Sequence, residues 1–300
     1  MPDRLASSVP LGGIDLLAEE AARTDASANL AMEEALVRAR PQRPLLRIWQ
    51  NTQCVVVGRG QRVEREVNLA ACAHGGVAVA RRASGGGAVY HDLGNLNISM
   101  AVPGYAPGLA GELARLVAAA IERLGLPPSI CERGVLVGPE KVSGLAEQVT
   151  RSGSLAHATL LVTTPAADVV SYLAPAPHDP RPLDSRRVQV RPLCERRPAL
   201  DIAAARTAVL AAAASRYGAL LPRPPRAAEH RWFERLLIER YRDPAWHLTG
   251  RPGHPWRGSC SSREFDPRTG RVGGAGPGVP GCGAVTPPRG AWAPCGNEEA

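Results

Sequence analysis

The order of patterns along the chain predicts an α+β domain built around a mixed, mainly antiparallel sheet flanked by helices. Short apolar runs show the two-residue alternation of strands, and fewer segments repeat at the helical period. Several strand patterns follow one another across short polar turns. This arrangement is typical of hairpins and differs from regular strand–helix–strand repeats.

The first half of the domain is predicted as one helix followed by short strands. Asp25 or Ser27 can cap a helix that ends before Pro41. In a later strand, apolar residues at 96, 98 and 100 alternate with polar residues at 95, 97 and 99, so we expect a half-buried antiparallel strand. The predicted strands are 45–49, 54–57, 77–81 and 95–102, with a short helix at 67–73.

The second half combines longer helices with another group of strands. Apolar residues from Leu109 to Leu124 repeat at the helical period, and Gly125 and Pro127 end that helix. A turn at 152–153 joins two of the later strands. The predicted strands are 135–137, 142–149 and 155–162, and the predicted helices are 201–217 and 226–240.

Composition along the chain predicts one domain at residues 25–250, with a flexible N-terminus at 1–24 and a tail at 251–300. The tail contains eleven Gly and eight Pro in fifty residues, which is 38%. Pro and Gly together indicate disorder above roughly 25–30%. We therefore expect the last fifty residues to be non-globular.

Charge and cysteine usage exclude several classes of protein. The net charge is +8, but the arginines are scattered and not interleaved with aromatic residues, which disfavours a nucleic-acid partner. A basic surface suits an acidic protein or a nucleotide equally well. The seven cysteines show no CxxC spacing, which argues against a disulfide framework and a zinc site.

Since no signal peptide and no apolar run of about 20 residues is present, we expect a cytoplasmic protein with no membrane partner.

The most informative segment is a glycine-rich turn, RRASGGGAVYHDLGNLN at residues 81–97. Three consecutive glycines allow a positive φ and a close approach of the backbone to a ligand, and their N–H groups can form an anion-binding concavity. Arg81 and Arg82 add guanidinium groups that suit phosphate or carboxylate. From spacing alone, a flexible hairpin loop with two solvated arginines explains the segment equally well.

This segment closely resembles the signature RRxSGGGAVYHDxGNLN of lipoate-protein ligases, and the resemblance extends over residues 25–175 and more weakly to 250. Residues 141–146, KVSGLA, resemble the family's lysine motif, and 155–161, LAHATLL, resemble its HHGTLL strand. The resemblance implies a catalytic domain shared with biotin ligases and related to class II aminoacyl-tRNA synthetases. It also implies that lipoate or octanoate is activated with ATP and Mg²⁺ to an acyl-adenylate and transferred to a lysine of an acceptor protein.

The resemblance carries functional residues over to this chain by motif matching. Lys141 is implied to be catalytic, because the family's lysine bridges the lipoate carboxylate and the α-phosphate. No residue of the chain is assigned as a metal ligand. Binding of ATP and the acyl-adenylate is implied for Arg82, Gly85, Gly86, Gly87, Ala88, Val89, Tyr90 and Lys141. A pocket-shaping role is implied for His91, Asp92, Ser143, Gly144 and His157.

The chain departs from the family pattern at three positions, which leaves two alternatives open. Ala156 and Ala158 replace a His and a Gly, and Gly134 stands where an acidic residue is usual. One alternative is an ATP-independent octanoyl or lipoyl transferase of the same fold, for which Cys131 is the cysteine nearest to Lys141 along the chain. The other is a non-catalytic module that binds lipoate or a nucleotide.

The partners implied by the resemblance are proteins that carry lipoyl domains. These are the E2 subunits of 2-oxoacid dehydrogenases and the H protein of glycine cleavage. Some members of the family have a separate accessory domain of about a hundred residues, which the tail does not resemble, so a separate accessory partner protein is a further expectation.

Overall fold

The computed structural model describes residues 13–18, 24–132, 134–173 and 189–251, together with 265–266 and 271–272. The chain divides into two units, residues 1–255 and 256–300. In the second unit the described residues form one antiparallel strand pair, Phe265–Asp266 with Arg271–Val272. Most of the predicted tail, and residues 1–12 and 19–23 of the predicted flexible N-terminus, lie outside the described residues.

Twelve strands form the β structure among the described residues of the first unit. They are β1 (Ile14–Leu17), β2 (Leu45–Trp49), β3 (Cys54–Val57), β4 (Ala78–Arg81), β5 (Val89–His91), β6 (Asn95–Pro103), β7 (Pro128–Cys131), β8 (Gly134–Val137), β9 (Glu140–Ser143), β10 (Leu145–Val149), β11 (Gly153–Leu161) and β12 (Leu220–Arg223).

Eight α-helices accompany these strands among the described residues. They are α1 (Ala26–Arg38), α2 (Val63–Glu66), α3 (Leu69–Gly75), α4 (Leu109–Arg123), α5 (Ala166–Tyr172), α6 (Ile202–Tyr217), α7 (Ala227–Leu236) and α8 (Pro244–Thr249). A 3₁₀ turn covers Leu193–Glu195, and α7 continues into a π-helical turn at Leu237–Tyr241.

The strands form one large sheet and two small ones. The six-stranded sheet has the order β10-β11-β6-β2-β1-β12, with antiparallel pairing from β10 to β2 and parallel pairing among β2, β1 and β12. The small sheets are β4-β3-β5, which is mixed, and β7-β8-β9, which is antiparallel. The prediction of an α+β fold with a mixed, mainly antiparallel sheet is confirmed.

Apolar layers cover both faces of the large sheet. Helices α4 and α6 pack against Leu96, Ile98 and Met100 of β6 in one buried cluster. Helices α1 and α7 pack with Trp49 of β2 in a second cluster on the opposite face. Burial of each such side chain stabilises the fold by about 1.5–3 kcal/mol. Asp25 caps α1 as predicted, since its carboxylate accepts a 2.8 Å hydrogen bond from the Ala28 N–H.

Strand β6 is buried on both faces, so the prediction of a half-buried strand is wrong. Its polar residues Asn95, Asn97 and Ser99 are all at most 2% exposed. Helix α1 covers this face, and its Glu33 accepts a hydrogen bond from the Ser99 hydroxyl. Alternation at period two correctly separated the two faces, but it could not show that both are covered.

Residues 14–17 correct the predicted N-terminus. They form β1, which pairs with β2 and β12, and Ile14 is fully buried. Because β12 lies more than two hundred residues away along the chain, local patterns gave no indication of this strand. The buried carboxylate of Asp15 also accepts hydrogen bonds from Arg223 and Arg226.

Other element boundaries differ from the predictions by a few residues or by one break. The strand predicted at 142–149 is divided at Gly144 into β9 and β10. The helix predicted at 67–73 is replaced by α2 and α3, with Val67 in a bridge to Leu173. Among the described residues, no helix is long and apolar enough to cross a membrane.

Candidate functional site

A single cavity brings together the two motif segments that the sequence singled out. Its volume is about 1260 Å³, and its walls include Gly87 of the glycine turn and Lys141 of β9. Most of the predicted site residues contribute to these walls: Arg82, Gly87, Ala88, Val89, Tyr90, His91, Lys141, Gly144 and His157. The predicted proximity of the lysine and the triple-glycine turn is therefore present in the fold.

The glycine turn depends on two close approaches of the backbone. Gly86 has φ +87°, a left-handed conformation that favours glycine. The Cβ that Gly58 lacks would overlap the carbonyl oxygen of Gly86. A Cβ on Gly86 itself would lie 3.2 Å from the Ala146 methyl of β10. Residues 58, 86 and 146 are therefore small because three segments meet there.

Arg82 holds this turn from within. Its Nη2 donates to the carbonyl oxygens of Gly85 (2.6 Å) and Gly87 (2.8 Å), and its Nη1 donates to Val56 O (3.2 Å). Its Nε donates to the Ser84 hydroxyl at 3.0 Å. Burial lowers the pKa of Arg82 to about 10, which still leaves it charged at neutral pH. One N–H on Nη1 has no acceptor among the described residues, so Arg82 keeps one donor for a ligand. Direct contact of Arg82 with a nucleotide stays a prediction.

The guanidinium of Arg81 is occupied by hydrogen bonds within the fold. This differs from the expectation that both Arg81 and Arg82 would be suited to bind a phosphate. Its side chain is 1% exposed. It donates to the carbonyl oxygens of Gly58, Arg59 and Gln61, and to those of residues 246–248 around α8. Arg81 thus joins the loop after β3 to the C-terminal helix of the domain.

Lys141 lies half-buried on the cavity wall, where the role implied by the resemblance requires it to be. Gly144 and Gly134 leave room for its side chain, because a Cβ on either would come within 3.3 Å of Lys141 Cε. Burial lowers the pKa of Lys141, and the nearby Cys131 acts in the opposite direction. Since Lys141 has no ion-pair partner among the described residues, its charge is available to an anion in the cavity.

His91 is an uncharged hydrogen-bond donor at the cavity wall. Its Nδ1 lies 3.1 Å from Asn51 Nδ2, and Asn51 Oδ1 accepts from Asn29 Nδ2 at 2.8 Å. Because an amide nitrogen only donates, Nδ1 accepts and the proton lies on Nε2. Burial, with Arg82 nearby, lowers the pKa of His91 to about 3. Its Nε2 is buried and has no partner among the described residues.

A model of the lipoyl protein ligase A/B catalytic domain matches residues 25–214. The chain belongs to this ligase family. A candidate lipoate-protein ligase A of Aeropyrum pernix is 40% identical over 157 residues, which are 50% of this chain and 59% of that protein. The chain therefore spans about three fifths of the length of that relative.

Solved structures share the fold over most of the chain. A bi-partite lipoate protein ligase of Thermoplasma acidophilum, described with its E2 lipoyl domain, is 26% identical with a TM-score of 0.69, covering 81% of this chain and 98% of that one. A candidate ligase of the same organism with bound lipoic acid is 25% identical with a TM-score of 0.67, covering 79% and 99%. A lipoate-protein ligase A bound with ATP, 24% identical, shares the fold with a TM-score of 0.68, covering 79% and 98%.

Four predicted site residues do not line the cavity of this ligase-family domain. Gly85 and Gly86 are exposed at the turn, and Ser143 is fully buried behind the wall. Asp92 accepts hydrogen bonds from the Thr164 hydroxyl (2.6 Å) and the Gly94 N–H (2.8 Å). Asp92 therefore shapes the chain after β5, and its role in the pocket stays a prediction.

Residues that the sequence analysis did not assign to the ligase-family site also line the cavity. Glu33, Trp49 and Asn97 are each buried, and the Asn97 Nδ2 has no partner among the described residues. Glu33 offered one signal, a carboxylate within the apolar helix segment ANLAMEEALV. Lys141, by contrast, was assigned from the motif, and it is the single lysine among the 36 Lys and Arg residues of the chain.

Two departures from the ligase-family motifs have a structural reason. Gly134 has φ +131°, and a Cβ there would overlap the backbone oxygen of Ser143, so glycine permits the tight β8–β9 hairpin. Ala156 is fully buried in the cluster with α4, where a histidine would lack room and polar partners. Ala158 contributes to the cavity wall.

Proposed function

We propose that this chain is a lipoate-protein ligase. It activates lipoate or octanoate with ATP to an acyl-adenylate and transfers the acyl group to a lysine of a lipoyl domain. The observation that carries the proposal is the presence of Lys141 and the glycine turn on one cavity. The solved relatives with bound lipoic acid and with bound ATP support the choice of substrates.

In the first step the substrate carboxylate attacks the α-phosphorus of ATP. A bond forms between the carboxylate oxygen and phosphorus, and pyrophosphate leaves with the electron pair of the broken P–O bond. The two anions repel each other, and the Lys141 ammonium between them offsets that repulsion in the transition state. The backbone of the glycine turn at Gly87, which lies on the cavity wall, holds the phosphates in line for the attack.

In the second step the neutral amine of an acceptor lysine attacks the acyl carbonyl carbon. An amide bond forms, the bond from that carbon to the AMP oxygen breaks, and the amine proton passes to solvent. No nucleophilic side chain of the enzyme is needed. The apolar part of the wall, formed by Leu30, Leu145, Ala158 and Leu161, is suited to a medium-chain acyl group.

Magnesium would accompany ATP in this reaction, and the cavity wall offers few carboxylates that would bind it. The wall carries two carboxylates among the described residues, Glu33 and Glu132. Glu33 is engaged by Ser99 and His157. Because Mg²⁺ is commonly held by phosphates, waters and one or two carboxylates, Glu132 would share the ion with ATP. The ion would neutralise charge on the departing pyrophosphate.

The acceptor that we propose is a lipoyl domain of an E2 subunit. The Thermoplasma ligase described together with its E2 lipoyl domain supports this choice. The H protein of glycine cleavage presents the same kind of lysine and is the second acceptor to test. A separate accessory protein is also part of the proposal, since that relative is described as bi-partite.

An ATP-independent acyl transferase is the second candidate function. Its supporting observation is Cys131, which is exposed and close enough to affect the pKa of Lys141. A transferase would pass the acyl group through a Cys131 thioester. Cys131 does not line the cavity, and this disfavours the transferase. A non-catalytic binding module would bind ATP or lipoate and form no product.

One experiment separates these functions. Purified protein is incubated with an E2 lipoyl domain and with lipoate, octanoate or an octanoyl-acyl-carrier donor, each with and without ATP and Mg²⁺. AMP release and the mass of the acceptor are both measured, and the set is repeated with the H protein and with Cys131→Ser. The ligase requires ATP, releases AMP and tolerates Cys131→Ser. Acyl transfer from an acyl-carrier donor without ATP, lost in Cys131→Ser, would replace the ligase by the transferase.

A further inference from the structure

A chain of hydrogen bonds leads from helix α1 to the glycine turn. Ser99 Oγ donates to Glu33 Oε1 at 2.5 Å. Both carboxylate oxygens of Glu33 lie 3.1 Å from His157 Nδ1. His157 Nε2 lies 2.8 Å from Ser84 Oγ, which also accepts from Arg82 Nε at 3.0 Å. The chain ends at the guanidinium that holds the turn.

The direction of the hydrogen bonds to Glu33 follows from the ionisation of Glu33. Burial alone would raise the pKa of Glu33, but His157, Ser99 and Arg47 together lower it below the usual range. The carboxylate is therefore ionised at neutral pH and only accepts. His157 must carry a proton on Nδ1, so in the neutral imidazole Nε2 accepts the Ser84 hydroxyl proton. The Ser84 oxygen then keeps its lone pairs for Arg82.

The order Ser84–His157–Glu33 resembles the order of a hydrolytic triad, but the surroundings do not allow that role. Ser84 is 3% exposed and does not line the cavity. Its oxygen accepts from the Arg82 guanidinium, which lowers its nucleophilicity. Both nitrogens of His157 are engaged within the protein, so neither is available to take a proton from a substrate.

We infer that Glu33 is a positioning residue that sets the glycine turn for nucleotide binding by holding His157 with its proton on Nδ1. Through His157 and Ser84, Glu33 orients Arg82 toward the carbonyl oxygens of Gly85 and Gly87. The turn is then formed before the ligand arrives, which lowers the ordering cost of binding. The link to ATP rests on the proposed function, whereas the link to the conformation of the turn does not.

The test uses Glu33→Gln, which keeps the size of the side chain and can still accept from Ser99. The amide NH₂ of glutamine can donate to His157 Nδ1 and so favours the opposite tautomer, with the proton on Nε2. The matched control is Glu34→Gln on the same helix. Glu34 is equally buried but bonds Arg38, Arg240 and Tyr241, away from the cavity. Glu34→Gln therefore reports the general effect of neutralising a buried carboxylate of α1.

The first readout needs no ligand. In the intact protein, ¹⁵N NMR is expected to show His157 protonated on Nδ1, and Glu33→Gln is expected to reverse this. The amide signals of residues 85–87 are expected to shift in Glu33→Gln and to stay in place in Glu34→Gln. An unchanged tautomer, or unchanged turn signals in Glu33→Gln, would overturn the inference even if the protein proves to be a ligase.

The second readout is kinetic, with ATP as the probe. In Glu33→Gln the KM for ATP in AMP formation is expected to rise about tenfold or more, with kcat and the KM for lipoate within about threefold. Ser84→Ala is expected to give the same change, and the double variant no more than either single one. Equal losses in kcat and in both KM values, or the same loss in Glu34→Gln, would indicate a merely structural role and contradict the inference.

The two proposals fail in different ways. If the unaltered protein forms no AMP, either alone or together with the accessory protein, the proposed function fails, while the tautomer of His157 and the turn signals still decide the role of Glu33. If AMP forms normally and Glu33→Gln binds ATP as tightly as the unaltered protein, measured by calorimetry, the positioning role fails and the ligase stands.

Discussion

Gly58 and Gly86 touch backbone to backbone, so that a single added methyl group on Gly58 would overlap the Gly86 carbonyl oxygen. This contact joins the loop after β3 to the glycine turn. It places a constraint on the site at a residue that is itself outside the cavity wall.

Gly58→Ala is expected to displace the glycine turn. Because the neighbouring atom is backbone, the turn must move, at a cost of about 1–3 kcal/mol in the free energy of unfolding. ATP affinity, measured by calorimetry, is expected to fall about tenfold or more. The control is Gly111→Ala on α4, outside the cavity wall, where an added Cβ would meet only the end of the Arg115 side chain at 4.0 Å. Equal ATP affinity in Gly58→Ala and the unaltered protein would show that the contact does not matter for binding.

Lys141→Met is expected to remove catalysis without weakening the fold. Replacing the cation is expected to reduce the rate of adenylate formation by about 10²–10³-fold, measured as pyrophosphate exchange. Lys141 is half-buried without an ion-pair partner among the described residues, so its charge lowers the free energy of unfolding. The melting temperature of the ligand-free protein should therefore stay the same or rise slightly. A drop of many degrees would instead reveal a structural role.

The single lysine permits a direct measurement of its protonation. Reductive ¹³C-methylation labels Lys141 and the chain's α-amino group, so one side-chain signal is expected in the NMR spectrum. That signal should titrate at a pH below the ordinary value for lysine, because burial lowers its pKa. Adenylate formation needs the protonated form, so activity should fall as the pH rises through this lowered pKa. A titration at or above the ordinary lysine value would contradict the placement of Lys141.

His91 is expected to make the protein sensitive to acid. Its pKa is lowered to about 3 in the folded state and lies near 6.5 in an unfolded chain. The unfolded state therefore binds the proton first, and stability is lost as the pH falls from about 6.5 toward 3. His91→Gln should lose less stability over this interval, measured by chemical unfolding at several pH values. His74, exposed on α3, gives the control His74→Gln, which should follow the unaltered protein.

His91 is expected to affect the stability of the protein in acid but not the pH dependence of its activity. The imidazole should stay neutral at every pH where the fold is intact, with its proton on Nε2 because Asn51 bonds Nδ1. The pH–rate profile of the unaltered protein should consequently contain no step from His91. If His91 is observed by NMR to become charged near pH 6, its burial in solution differs from that in the structure.

Local patterns predicted most elements of the fold within a few residues. Strands β2 and β3 have the predicted bounds, and α4 and α6 differ from theirs by one residue. Predictions failed where distant segments meet. Strand β1 forms because β12 and β2 provide partners, and the polar face of β6 is covered because α1 lies over it. Such contacts leave no periodic signal in the chain.

The residues of the site were likewise predictable where the signal is local and unpredictable where distant segments meet. The glycine turn and Lys141 were recognisable from residue types and spacing, together with the family resemblance. Glu33 was not, because its function depends on His157 and Ser84, which lie 124 and 51 positions further along the chain. Arg81 and Arg82 are adjacent and chemically identical, yet one bonds the loops around α8 and the other holds the turn.

The amino-acid sequence by itself determined the class of fold, the motif segments and the family, because these depend on residue types at short separations. Only the tertiary structure decided which polar groups are buried together and which charges remain available to a ligand. The physical reason is that hydrogen bonds and desolvation act over a few ångströms in space. Glu33, His157 and Ser84 come within that distance only after α1, β11 and the glycine turn have packed around the same cavity.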